Sequence, residues 1–186
     1  MLSGIFVWVH GSAVLDGSWK NAPFALQQLI LVVLFLTRRR SYATSPRVWD
    51  WFVAAVGGWL PLAYRPHPAG SPMAAEAGTG IQVLGVTLSA LAILYLGRSF
   101  GIVAANRGLK TGGPYRLVRH PIYAAHLLSG AGFLVANASP YNGALFAAVL
   151  WAQLMRIRAE ERFLGELEEY RRYMAEVRWR LVPFLY

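Results

Sequence analysis

The chain has 186 residues, 56% of them hydrophobic and 15% charged, with seven Trp and a formal net charge of +9. That composition points to one membrane-embedded domain rather than a soluble core, and basic loops beside anionic lipid account for the charge without nucleic acid. The lack of Cys excludes disulfides, thiolate catalysis, iron–sulfur clusters and Cys-type zinc sites together.

In chain order, Gly4–Leu15 is apolar but interrupted by His10 and Gly11 and followed by Asp16. It reads as an interfacial or partly inserted helix, and with no basic segment before it a cleaved signal peptide is not expected. Five apolar runs follow: Pro23–Leu36, Trp49–Leu62, Gly80–Leu96, Pro121–Ala138 and Tyr141–Met155. Most are short for a spanning helix of about 20 residues, but flanking Arg and Trp extend them to the interface. The stretch Arg65–Thr79, "RPHPAGSPMAAEAGT", reads as an outside loop, and "NASPYN" (137–142) as the turn of an antiparallel helical hairpin. After Met155, Phe163, Leu167, Tyr170 and Met174 share one helical face, so the fifth span is expected to continue as an amphipathic helix ending before Pro183. No run alternates with period two, which predicts no sheet. The expected fold is therefore an all-α integral membrane protein with about five transmembrane helices and a C-terminal amphipathic helix on the cytoplasmic side.

Charge placement fits that topology. If the first span runs from outside to inside, the inner segments 37–48, 97–120 and 156–186 hold sixteen of the eighteen Lys and Arg, beginning with Arg38, Arg39, Arg40 and Arg47. Only Lys20 and Arg65 fall outside, the asymmetry the positive-inside rule demands.

The sequence carries no GxGxxG, P-loop or HExxH motif, so a soluble-type nucleotide domain and a zincin site are excluded. His120 and His126 lie on different helix faces and His10 and His67 are remote, so no metal is expected. Chemistry concentrates in "TGGPYRLVRHPIYAA" (111–125). Pro121 should open a helix with His120 at its cap, and a helix start beside Arg116, Arg119 and His120 favours an anion. "KTGGPY" is a tight turn that lets backbone approach a ligand, and Tyr123 adds a ring and a hydroxyl. Glu160 and Glu161 stand where the fifth span leaves the membrane, and the hairpin brings them to the same membrane face. Glu166, Glu168, Glu169 and Glu176 read as surface ion-pair partners. The result is a bipolar pocket with apolar walls, suited to a zwitterion with a flat apolar part. S-adenosylmethionine has that form, with its sulfonium suited to a Tyr face; NADPH would leave the carboxylates without a role.

"GPYRLVRHPIY" (113–123), "RAEERFL" (158–164), "EYRRY" (169–173) and the terminal Val177 and Pro183 resemble the isoprenylcysteine carboxyl methyltransferase family, which is grouped with membrane phospholipid methyltransferases. The resemblance runs from "LGRSF" (96–100) to Phe184 and is missing from the first 80 residues. It divides the chain into N-terminal membrane helices, 1–78, and a methyltransferase core, 79–186. It implies a membrane enzyme that binds S-adenosylmethionine through Arg119, His120, Pro121, Tyr123, Glu160 and Glu161, with Gly113 and Tyr115 as supports. Departures are Glu166–Leu167 in place of an aromatic–Gly pair and Ala125 in place of Gly, which bear on local packing and the substrate mouth. The expected reaction is methyl transfer to a lipophilic acceptor, such as the carboxylate of isoprenylcysteine, at the cytoplasmic face of a bacterial-type inner membrane. Alignment in a dry site, worth about 7–11 kcal/mol, then carries the rate without a strong base, and Arg156 or Arg158 would orient the carboxylate. Expected partners are that acceptor and membrane lipids, with no nucleic acid and no metal. The alternatives are an NADPH-dependent sterol-type membrane reductase, which carries a similar RHPxY element, and a non-catalytic lipid-binding module.

Overall fold

A computed structural model describes residues 2–17, 22–37, 40–99, 101, 105, 106 and 108–186; Lys20, Arg38, Arg39, Phe100 and Arg107 lie outside the described residues. The described chain is helical: α1 (Leu2–Leu15), α2 (Ala22–Thr37), α3 (Val48–Trp59), α4 (Pro72–Leu96), α5 (Pro121–Ala136), α6 (Pro140–Leu164) and α7 (Glu168–Glu176). Among the described residues one helical stretch, Pro72–Ser99, is long and apolar enough to cross a membrane; Ala22–Thr37, Val48–Ala63 and Pro121–Ala136 are shorter apolar helices. The segment read as interfacial is α1, which packs on α2 with the His10 and Phe24 rings stacked at 5.2 Å.

Three sequence expectations change. The loop expected over 65–79 ends at Ser71, whose hydroxyl accepts from Ala74 N–H at 3.1 Å, and Pro72 occupies the first helical turn of α4. A Ser cap followed by Pro is a helix start that outweighs the loop-like Ala and Gly composition. Ala43–Thr44 pairs antiparallel with Ala105–Asn106; a two-residue ladder is too short to show alternation. The amphipathic extension runs unbroken only to Leu164, then turns at Gly165, where a Cβ would lie 2.5 Å from Glu161 O. Leu167 is extended and caps α7, so the expected stripe is shared by two helices, and Leu164, Leu167 and Met174 still pack on Tyr115, Tyr170, Tyr173 and Val177.

The α4–α5 pair is the tightest contact. A Cβ on Gly132 would sit 2.4 Å from Gln82 N, one on Gly85 2.5 Å from Ser129 N, and one on Gly78 2.5 Å from Ala136 N. Small residues at helical spacing let the two backbones meet, the packing that replaces hydrophobic drive between helices in lipid.

Polar contacts tie up the two ends of the bundle. At one end Arg98 Nε donates to Thr37 O at 2.7 Å, and buried Asp50 accepts from Arg162 and from Ser45, both at 2.5 Å. At the other, fully buried Asn142 accepts from Arg65 N–H at 3.2 Å and donates to Arg65 O at 2.8 Å and Asn137 O at 2.7 Å, closing the α5–α6 hairpin.

Candidate functional site

The first end carries the site, and α5 and α6 position it. His120 caps α5 with Pro121 buried at the first helical position. Glu160 and Glu161 sit on the last turns of α6, and successive helical residues point about 100° apart. The two carboxylates therefore meet different surroundings.

Glu161 is enclosed. Its Oε1 accepts from Arg119 Nε at 2.7 Å and lies 3.2 Å from His120 Nε2, while Oε2 accepts from Arg180 Nε at 2.8 Å. Burial alone would raise the carboxyl's pKa; the hydrogen bonds from His120, Arg119 and Arg180 outweigh it and hold Glu161 down at about 2. Arg119 is buried, and besides Nε its Nη1 donates to Val177 O at 2.7 Å and Arg178 O at 2.8 Å, and its backbone N–H to Trp179 O at 2.8 Å. His120 N–H donates to Arg180 O at 2.9 Å. The C-terminal segment is thus strapped across the start of α5 by backbone carbonyls, and Tyr186 O in turn accepts from Arg180 N–H and Leu181 N–H, each at 2.8 Å.

Glu160 is the more open of the two and lines a cavity of about 810 Å³. Tyr123 Oη donates a short hydrogen bond to Glu160 Oε1, and His120 Nδ1 lies 3.6 Å from Oε2. Tyr115, Tyr170 and Tyr173 line the same cavity. Tyr173 Oη donates to Tyr115 O at 2.7 Å, fixing the short 3₁₀ turn Gly113–Arg116. Burial first, with Glu160 adding to it, pushes the Tyr115 and Tyr170 phenols well above their ordinary range, so the rings stay neutral. The Tyr115 hydroxyl is buried with no partner among the described residues. Gly113 has φ +55°, which favours glycine, and its Cβ position lies 2.6 Å from the Tyr95 ring; a Cβ on Gly112 would lie 2.0 Å from Tyr95 Oη, so that half-exposed ring would have to move.

The structure brings Arg119, His120, Tyr123, Glu160 and Glu161 into one cluster, with Tyr115 beside it. Of the two arginines named for acceptor orientation, Arg156 lines the cavity with its guanidinium carbon 4.9 Å from the Tyr123 ring centroid. Arg158, two residues on, is exposed and outside the cavity lining. Arg116 is exposed and also outside the lining, so it does not join the cluster. Sequence reasoning missed Arg180, Tyr173 and the polar side chains Gln27, His126 and Gln153 in the cavity lining. The available signal was a polar residue inside an apolar run, a functional pointer in membrane segments.

The arrangement presents one carboxylate, a phenol and stacked aromatic surface to an apolar chamber, which suits a cation with a flat apolar body. Among the described residues no group of three or more His, Cys, Asp or Glu could hold a metal. Residues 74–170, just over half the chain, match the family model described as phospholipid methyltransferase. Protein-S-isoprenylcysteine O-methyltransferase A of Arabidopsis thaliana is 37% identical over 90 residues, covering 45% of this chain and 46% of that protein. A probable protein-S-isoprenylcysteine O-methyltransferase of Oryza sativa subsp. japonica is 34% identical over 116 residues, 58% of this chain and 60% of that one. The chain thus spans about half the length of the curated relatives it matches, and neither a reductase nor a lipid-binding module finds support among these matches.

Proposed function

The chain belongs to the phospholipid methyltransferase family, and from that premise we propose that it is an integral membrane enzyme transferring a methyl group from S-adenosylmethionine to a lipophilic acceptor. A carboxylate like that of isoprenylcysteine is the acceptor best matched to the groups available. The observation that carries this reading is the paired environment of Glu160 and Glu161, one open to a large apolar cavity and one locked to Arg119 and Arg180. The residues fit the cofactor. Glu160, with Tyr123 and His120 beside it, would take the ammonium; Tyr115 and Tyr170 offer ring faces for the rest, and the orphaned Tyr115 hydroxyl offers a hydrogen bond. When bound, S-adenosylmethionine supplies a methyl already activated on a sulfonium. Glu161, Arg119, Pro121 and Gly113 act by positioning: they hold the start of α5, the turn before it and the strap in register. Arg156 orients the acceptor, and the cavity walls exclude water so that an already anionic nucleophile needs no base. A five-span topology with this end facing the cytoplasm of a bacterial-type inner membrane is supported by the sixteen Lys and Arg of the inner segments.

The test is calorimetric binding of S-adenosylhomocysteine to detergent-purified protein. Wild type is expected to bind in the micromolar range, and Glu160→Gln to weaken binding by roughly ten- to a hundredfold, the worth of one charge-assisted hydrogen bond of about 1.5–3 kcal/mol. A folded wild type that binds none would overturn the reading.

A further inference from the structure

One turn beyond Tyr123 on α5, polar side chains interrupt the largely apolar wall of the cavity. The Gln27 amide nitrogen on α2 lies 3.1 Å from Ser89 Oγ on α4 and 3.3 Å from His126 Nε2 on α5. Gln27 and Ser89 are buried, Ser89 completely. Each hydrogen of the amide has one acceptor, so His126 accepts at Nε2 and, as a neutral imidazole, carries its proton on Nδ1. That geometry removes His126 as a base, because its one lone pair is already occupied. It leaves an N–H donor on a residue that lines the cavity, one turn beyond Tyr123 on the same helix. The Gln27 carbonyl oxygen, on another lining residue, is an acceptor beside it. His126 is half-buried in the cavity lining, so a ligand that displaces water there must either accept from this N–H or leave it unpaired; the hydrogen bond of Gln27 to Ser89 accounts for the amide but not for the imidazole.

We infer that His126, held by Gln27 and Ser89, is a specificity-determining subsite that selects an acceptor bearing a hydrogen-bond-accepting oxygen within its apolar body, apart from the group that is methylated. This deepens the proposed function, since it rests on an acceptor occupying this cavity. It commits to a substrate class: a lipid with an internal carbonyl, hydroxyl or ether, preferred over the same body as bare hydrocarbon. The physical basis is asymmetric. A site built to hydrogen-bond an oxygen rejects the analogue lacking it strongly, because its own polar groups are left unpaired, whereas apolar walls discriminate weakly.

The experiment uses the full chain in detergent and, as probes, a saturated long-chain fatty acid and its mono-keto isomers with the carbonyl walked along the chain. Binding is measured by calorimetry, independently of methyl transfer. One keto isomer is expected to bind about tenfold more tightly than the parent acid, the worth of one hydrogen bond. His126→Phe erases that preference, and His126→Gln, which keeps a donor, retains it; the second variant carries the test where the first does not fold. The inference is overturned if no isomer exceeds the parent, or if the preference survives His126→Phe. S-adenosylhomocysteine binding on the same samples judges the methyltransferase reading separately: a keto preference without it upholds the subsite and overturns that reading.

Discussion

Glu161→Gln removes one negative charge at nearly constant volume, and its consequence can be worked from the contacts. The carboxylate is 8% exposed and faces Arg119 Nε at 2.7 Å, Arg180 Nε at 2.8 Å and His120 Nε2 at 3.2 Å. Breaking a buried pair strands the partner charge, which costs roughly 3–5 kcal/mol. Arg180 is 35% exposed, so water recovers part of its share and the lower end of that range applies. The same contacts set a pH dependence. A carboxyl at about 2 in the fold, against 4.5 when unperturbed, contributes roughly 3 kcal/mol at neutral pH. Because the folded value is depressed, that stability is complete above about 4.5 and is lost as the pH falls toward about 2. The assay is thermal unfolding in detergent followed by Trp fluorescence. At neutral pH the variant should melt about 6–12 °C below wild type, taking about 2–4 °C per kcal/mol for a chain of this size. At about pH 3 the gap should narrow, because the wild-type carboxylate is then losing the advantage the variant never had. Equal melting at neutral pH, or a gap that acid leaves unchanged, would refute the reasoning.

Other outcomes follow from named contacts. Arg119→Lys keeps the charge but cannot serve Glu161 and the carbonyls of Val177 and Arg178 together; it should free the strap, read as faster limited proteolysis beyond Val177, with wild-type resistance counting against it. Gly132→Ala drives a methyl to 2.4 Å from the Gln82 backbone nitrogen and should cost about 1–3 kcal/mol in thermal unfolding. Gly143→Ala, on α6 with nothing within 4 Å of its Cβ position, should instead stabilise by about 0.5–1 kcal/mol. A loss at both positions would mean that the α4–α5 contact is not the cause.

The helices were legible wherever hydropathy and a cap agreed. Pro121 with His120 before it marked the start of α5 correctly, because Pro both opens a helix and bends the residue before it out of helical geometry. The start of α4 was hidden because "SPMAAEAG" has loop-like composition, although its Ser–Pro pair is a cap signal. The β pairing joins residues more than sixty apart, and no local pattern could mark it. At the site, spacing correctly brought the basic motif and the Glu pair to one end, since a hairpin forces it. It could not say that Arg119 would be consumed by Glu161 and by the carbonyls of a segment fifty-eight residues away. That assignment depends on where the strap lies, which is tertiary information. Gln27 and His126 are separated by ninety-nine positions and acquire meaning only when α2 and α5 meet.

The adjacency of Glu160 and Glu161 then has a physical reason. Two carboxylates side by side in apolar surroundings would repel and share a proton. Here the helix turns them apart, and three donors neutralise Glu161. The neutralised member fixes His120 and Arg119, and through them the strap and the first turn of α5, while Glu160 lines the cavity with Tyr123 and His120 beside it, placed to meet a ligand. One residue supplies rigidity and its neighbour supplies recognition, and neither suffices alone. An isolated Glu160 would stand on a frayed α6 end, and an isolated Glu161 would hold a well-ordered site with nothing to attract a cation. Substitution at Glu160 should therefore change binding with little effect on melting, and substitution at Glu161 should change both.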